Sequence, residues 1–410
     1  MIDTVTETPL RPLSRFQQGM VALASVAMGA GMTINFVVVA PLAREAGLSE
    51  IEVAGILTLS TVLYTATIPI WGRLADRFGR KRVMVFSLFA MAGTNMAFLF
   101  GLQAALAGVV TGLTTFVLLA FLRVFFGLLS PGLQPASMAA MTDATTSANR
   151  AAGLGLLGAA MSFGSILGPA GAAALAPFGA LAPLWGSIAF CAVCGIAVGF
   201  SLPKTRKGTR DTQTPVPLKS TDPRILPHLL FLFAYFAAVG VVQQTLGWLV
   251  EDRYGLEKAE SVQAAGAAFA ALAAGMILVQ FGVVARYKPD PRRILPLGLA
   301  MVAAGYIGAV FAGPFAVTCA CFFLVGCGAA LAVPSANALG SLSVSRPEQG
   351  AAAALLSAAP PAGFIIGPLL GAALYMAEDT LPLLISAAAM MSLAVYAVLV
   401  TARRPLTPAV

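Results

Sequence analysis

Long apolar stretches follow one another along the whole chain, parted by short polar or Pro/Gly-rich breaks. Crossing the hydrocarbon core takes about 20 consecutive apolar residues as a helix. On that length the pattern predicts spans at 18–40, 53–71, 83–102, 107–141, 151–175, 180–202, 225–250, 260–285, 294–312, 314–340, 350–376 and 380–402. The fourth stretch is too long for one crossing, so its upstream end reads as a short loop or interfacial turn. The fold class that follows is an all-α integral membrane protein of about twelve transmembrane helices.

Composition agrees: 59% of the residues are hydrophobic, 10% are charged, and the mean hydropathy is +0.87. A soluble domain carries roughly a quarter charged residues, and this chain has too few to cover itself in water. Residues 1–17 hold Asp3, Glu7, Arg11 and Arg15 where a secretory leader would have a short apolar core and a cleavage site. The first span is therefore expected to act as its own insertion signal. Cys191, Cys194, Cys319, Cys321 and Cys327 all lie in apolar spans. Cys191 and Cys194 are spaced C-x-x-C without a His or further Cys beside them, so helix packing is expected and a metal site is not.

Charge placement sets the orientation. With the N-terminus inside and twelve crossings, the outside segments hold only Arg44, Arg253 and Lys258. Twenty-one basic residues fall inside and Arg123 lies within a span, which accounts for all 25. This positive-inside bias implies cytoplasmic N- and C-termini. It also explains the net charge of +8 without a nucleic-acid surface. A bacterial inner (plasma) membrane is the expected location.

The longest polar stretch, 203–224, reads as a solvated cytoplasmic linker. It divides the chain into six-helix bundles at 1–202 and 225–410. The halves echo each other. Leu167-Gly168-Pro169 returns as Ile366-Gly367-Pro368, and Pro135 returns as Pro334, each 199 residues on. Repeated halves are how many transporters build a substrate site at the midplane between them.

After the second span stands Gly72-Arg73-Leu74-Ala75-Asp76-Arg77-Phe78-Gly79-Arg80-Lys81-Arg82. It resembles the loop signature of the major facilitator superfamily, G-x-L-a-D-r-x-G-r-k, at every diagnostic position, and span count, linker and repeat extend the resemblance over essentially the whole chain. The resemblance implies two pseudo-symmetric six-helix bundles. It also implies a conformational latch of Gly72, Asp76, Arg77, Gly79 and Arg80. Gly72 would let the second helix sit close to a neighbour, and Gly79 would permit a tight turn. Asp76 would face the start of the eleventh helix, near Gln349 and Gly350, when the cavity faces outward. In the fourth span, Leu122-Arg123-Val124-Phe125-Phe126-Gly127 is similar to the drug:proton antiporters' l-R-x-x-q-G. Gly164, Gly168 and Pro169 in the fifth span, with Gly363, Gly367, Pro368 and Gly371 in the eleventh, are similar to their g-x-x-x-G-P-x-x-G-G. These spans are expected to bend and to pack at the interface of the halves.

Arg123 is the only charged residue deep in a span. Placing it at the bilayer centre costs at least about 2.5–3.5 kcal/mol, so it must face water or a partner. Either it faces the central cavity and acts with substrate or proton, or it is a structural arginine bonded to nearby polar groups. All 17 acids lie in loops, tails or span ends, and the antiporters' first-span aspartate is missing. Thr33 and Asn35 stand there instead. A neutral or anionic cargo fits better than an organic cation. Proton-carrier candidates are Asp143, His228 or a carboxylate on the cargo itself. Asn35, Tyr64, Gln134, Tyr235, Gln243, Gln244, Trp248, Gln280 and Asn337 are further candidates to line a cavity, with Gln244 and Trp248 on one helical face.

The expected function is secondary active transport, namely proton-coupled efflux of a small amphiphilic neutral or anionic compound (a drug, metabolite or siderophore) by alternating access. The alternative is an importer or facilitator of an organic acid or sugar-like solute. A membrane enzyme would need paired acids, clustered His or Ser/His at lipid depth, and none is present, so no enzyme is expected. No phosphate-cradling G-x-x-x-x-G-K-[ST] motif occurs, which leaves the proton gradient as energy source and no cofactor. Beyond cargo and lipid no partner is expected, and the chain is expected to be a monomer.

Overall fold

The computed structural model describes residues 13–145, 150–203, 218–287, 289–345 and 348–403. Among these the regular structure is helical. The order is α1 (Arg15–Glu45), α2 (Glu50–Phe78), α3 (Arg80–Leu106), α4 (Leu113–Leu129), α5 (Leu133–Ala144), α6 (Arg150–Leu175), α7 (Ala182–Ser201) and α8 (Leu226–Tyr254). Then come α9 (Lys258–Val279), a π-helical turn (Gln280–Val284), α10 (Ala285–Tyr287), α11 (Pro291–Val310), α12 (Phe315–Leu342), α13 (Gln349–Ala377) and α14 (Leu381–Arg403). Twelve helical spans among the described residues are long and apolar enough to cross a membrane. The fourth is α4 plus α5, broken where Pro131 removes a backbone donor at Ser130–Gly132. Residues 107–112 upstream of it form the expected turn. Of the predicted linker, 204–217 lie outside the described residues.

Local chemistry sets several ends. Glu52 anchors the start of α2, its Oε2 accepting from the N–H and the hydroxyl of the N-cap Ser49 at 2.8 and 2.7 Å. Gly79 joins α2 to α3 at φ 95°, a left-handed turn that a side chain would strain.

α1 packs on α6 and α7, α3 on α4 and α7, and α2 on α4. In the second half α8 packs on α13 and α14, α9 on α12, and α11 on α12 and α14. Lipid is as apolar as a neighbouring helix, so close contact carries this association. The 199-residue repeat reappears as shared close approaches. A Cβ on Gly127 would lie 2.6 Å from the Ser60 carbonyl of α2, and one on Gly326 would collide with the Leu272 carbonyl of α9. A Cβ on Gly168 would lie 2.6 Å from the Ala30 carbonyl of α1, and one on Gly367 would lie 2.6 Å from that of Ala237 in α8.

The fifth and eleventh spans, α6 and α13, pack against the other half as expected, on α9 and α2, while most of their motif glycines face a helix of their own half. Gly164 and Gly168 pack against α1, and Gly363 and Gly367 against α8, so the small faces join helices within each half. The halves meet along α1–α8, α2–α13 and α6–α9, so α6 and α13 take part in the seam. At the last seam a Cβ on Gly266 of α9 would lie 2.7 Å from the Pro169 carbonyl.

Candidate functional site

The deepest charge sits in the first half. Arg123 of α4 is 2% exposed. Its Nη2 donates to Asn35 Oδ1 of α1 at 2.5 Å and its Nη1 to Asn95 Oδ1 of α3 at 3.3 Å. The guanidinium carbon lies 4.0 Å from the Phe98 ring centroid and 5.4 Å from that of Phe126. A desolvated cation over an aromatic face gains up to about 2 kcal/mol, and each charge-assisted hydrogen bond about 1.5–3 kcal/mol. Together these offset the burial. Among the described residues no carboxylate pairs with Arg123, so the charge is held by two amide oxygens and two π faces.

Tyr64 joins this cluster: its ring stacks 6.2 Å from Phe126 and its hydroxyl donates to Met28 Sδ at 3.5 Å. The cluster lies inside the bundle rather than on an open surface, because packing among α1, α3 and α4 closes over it. Of the two sequence alternatives for Arg123, the structural bonding partners are the ones present in this conformation. Gln134 and Asn337 stand apart from it and half-buried, Asn337 donating to its own helix at Val333 O, 3.0 Å. Gln280 is half-buried in the π turn. Tyr235 is buried on α8, its ring 5.2 Å from Phe236.

Trp248 belongs to the seam, and Gln243 and Gln244 are buried on the same helix. Trp248 Nε1 donates to the Ala40 carbonyl of α1 at 2.9 Å, and its ring lies 5.6 Å from Tyr375 of α13. One turn on, Asp252 Oδ1 accepts from Arg44 Nη1 at 2.7 Å and Oδ2 from the Tyr375 hydroxyl at 2.6 Å. Arg44 also pairs with Glu50 of α2 at 3.0 Å. Deeper, Thr58 donates to Ile365 O at 3.4 Å and the Phe36 and Phe364 rings lie 6.4 Å apart. The Trp248–Ala40, Arg44–Asp252, Thr58–Ile365 and Phe36–Phe364 contacts cross between the halves, whereas Tyr375 braces Trp248 and Asp252, and Glu50 braces Arg44, within one half. Sequence reasoning missed Arg44, Asp252 and Tyr375. Their signal was an acid and a base at the ends of α1 and α8, equivalent positions of the two halves.

At the basic face the latch residues turn inward to their own half. Asp76 is 3.0 Å from Arg80, which also pairs with Asp143 at 3.1 Å, and Arg77 lies over its neighbour Phe78. Gly72 needs no close approach here, since a Cβ would meet only Pro135 at 3.9 Å. Near the expected dock, Glu348 accepts from Arg224 Nη1 and Nη2 at 3.0 and 2.8 Å. That pairing holds its carboxyl at about 2, well below the carboxylate range. His228 rests beside Gly340 at the start of α8, where a Cβ on the glycine would lie 3.3 Å from its own Cβ. The arrangement is closed on the face opposite the basic loops and has Asp76 disengaged from α13 on the basic face.

The family model described as "Major Facilitator Superfamily" matches residues 21–289 and 261–410. The chain belongs to that superfamily. It is a multi-pass membrane transporter and not an enzyme. A triacylglyceride transporter of Mycobacteroides abscessus is 32% identical over 155 residues, 37% of this chain and 28% of the relative. Multidrug resistance protein 2 of Bacillus subtilis is 30% identical over 136 residues, 33% of this chain and 31% of the relative. The matched stretches thus span less than a third of either relative's length. Among solved structures, a bacterial homolog of the human lysosomal transporter Spinster, inward-facing and occupied, aligns with TM-score 0.72 at 15% identity. It covers 96% of this chain and 98% of that one. A variant of the nucleoside transporter NupG aligns at TM-score 0.67 and 13% identity, covering 93% and 98%. These similarities concern the fold.

Proposed function

We propose that this transporter is a secondary active exporter that exchanges protons for a small amphiphilic, neutral or anionic compound by alternating access. The single observation that carries the reading is the buried Arg123 cation held by Asn35 and Asn95 without a carboxylate partner among the described residues. A lone positive charge in a low-dielectric bundle favours approach of a negative or dipolar group and opposes a cation. The seam carboxylate, Asp252, is already matched by Arg44, so an organic cation meets no uncompensated acid there. The names of the relatives, one for triacylglyceride and one for multidrug resistance, support a cargo with a large apolar part. In the cell the chain sits as a monomer in a bacterial inner membrane, with both termini in the cytoplasm.

The test uses proteoliposomes with an internal pH indicator and three tail-matched compounds without titratable groups: decanesulfonate, decylglucoside and decyltrimethylammonium. Proton movement driven by the sulfonate or the glucoside, at least tenfold above empty liposomes, is expected. Movement driven by the ammonium compound alone contradicts the reading.

A further inference from the structure

A furrow of about 400 Å³ cuts into the outer wall of the second half, between α11 and α14. Its floor is made of small side chains: Ala394 is 6% exposed, and Pro296 and Ala300 beside it are half-buried. Its walls are large apolar ones, with Leu297, Val395 and Leu399 each more than half exposed. No polar side chain lines it. Such a trough, walled by exposed apolar groups at membrane depth, is solvated by hydrocarbon.

α11 begins and α14 ends at the basic face, so the furrow lies in that leaflet. From Met391 to Leu399 it covers about 12 Å of helix rise, most of one leaflet's share of a hydrocarbon core roughly 30 Å thick. At its shallow end stands Arg293, exposed, in the first turn of α11 and four residues before Leu297 on the same helical face. Among the described residues Arg293 forms no salt bridge. The nearby acid, Asp290, is taken up as the N-cap, accepting from the Arg292 N–H at 3.0 Å. The helix start itself also favours an anion.

An apolar trough with one unmatched cation at its shallow end complements an amphiphile that carries a negative head. We infer that an anionic phospholipid of the basic-face leaflet binds here, one acyl chain in the α11–α14 furrow and its phosphate on Arg293. A zwitterionic headgroup brings its own ammonium to the phosphate and gains less from the arginine. The site lies on the outside of one bundle, away from the seam, and stands independently of the export reading.

The test is native mass spectrometry of the purified full chain, counting lipids retained from an equal mixture of dioleoylphosphatidylglycerol and dioleoylphosphatidylcholine. The wild type is expected to prefer the glycerol lipid by roughly fivefold, the gain one basic residue gives at a membrane surface. Arg293→Gln should abolish that preference, and Arg82→Gln, an exposed basic residue of the first half, should keep it. Ala300→Phe, which fills the furrow, should lower retention of both lipids severalfold. A preference that survives Arg293→Gln, or falls equally in Arg82→Gln, belongs to the general basic face and overturns the site. Retention unchanged in a folded Ala300→Phe assigns the lipid to the surrounding annulus and overturns it as well. So does a wild-type dimer that Ala300→Phe dissociates, since the furrow would then join two copies. Melting temperatures in detergent verify folding. Arg293→Gln alters only an exposed side chain, so it decides the matter even if Ala300→Phe does not fold.

Discussion

Positions 123 and 322 stand 199 residues apart on corresponding helices, each four residues before a glycine that touches a neighbouring helix's carbonyl. Around Arg123 are two asparagine oxygens and two rings. Around Phe322 are Phe269 and Tyr306, both at 6.4 Å. One backbone plan thus carries a desolvated cation in the first half and an aromatic cluster in the second. The repeat preserves the close approaches that fix helix packing and leaves the interior chemistry free to diverge.

The largest expected effect falls on the shared plan. Gly127→Val and Gly326→Val each drive a side chain into a carbonyl of the next helix, and overpacking of this kind costs about 1–3 kcal/mol or more. Both variants should lose folded yield and melting temperature alike. A large loss in one half only would break the equivalence.

A smaller effect is expected where the halves are joined. Arg44 is about a third exposed at its bridge to Asp252, with side chains 32% and 39% accessible, so the pair is worth about 1 kcal/mol or less. Arg44→Gln should raise the population with that seam open by no more than about fivefold. Spin-label distances between the α1–α2 and α8–α9 turns would report it. An unchanged distance distribution would place the seam's strength in Trp248 and the ring contacts instead.

The smallest effect contrasts the two basic-face clusters, Arg80 with Asp76 and Asp143 in the first half and Arg224 with Asp222 and Glu348 in the second. Arg224 lowers the Glu348 carboxyl from 4.5 to about 2. A depressed carboxylate contributes stability above its ordinary value and loses it as pH falls through the folded one. The protection factor at the start of α13, exchange taken relative to its intrinsic rate at each pH, should therefore be flat from pH 8 to 5 and fall only below about 4.5. Protection that stays flat down to pH 3 would mean the pair is not formed.

Most of the fold was legible in the sequence because lipid imposes a length and an apolarity that short loops interrupt. The break at Pro131 was hidden inside one long apolar run. The basic-loop motif gave the Gly79 turn correctly but not the Gly72 contact, since a close approach depends on which conformation the halves adopt. Arg123 and Asn35 were legible as polar residues at lipid depth. Asn95 was not, because one amide on an apolar helix gives no sign of what it faces. The seam was the least legible part. Arg44 and Asp252 lie 208 residues apart, look like ordinary loop charges, and become partners only when the halves close.

The central claim is that Arg123 sets the charge preference and Phe322 does not. The most direct measurement is the ratio of proton-coupled exchange rates for decanesulfonate and decyltrimethylammonium in the wild type, Arg123→Gln and Phe322→Leu. The account predicts a ratio above about ten in the wild type, retained in Phe322→Leu and collapsed toward one in Arg123→Gln. A ratio that survives Arg123→Gln in a folded protein would contradict it.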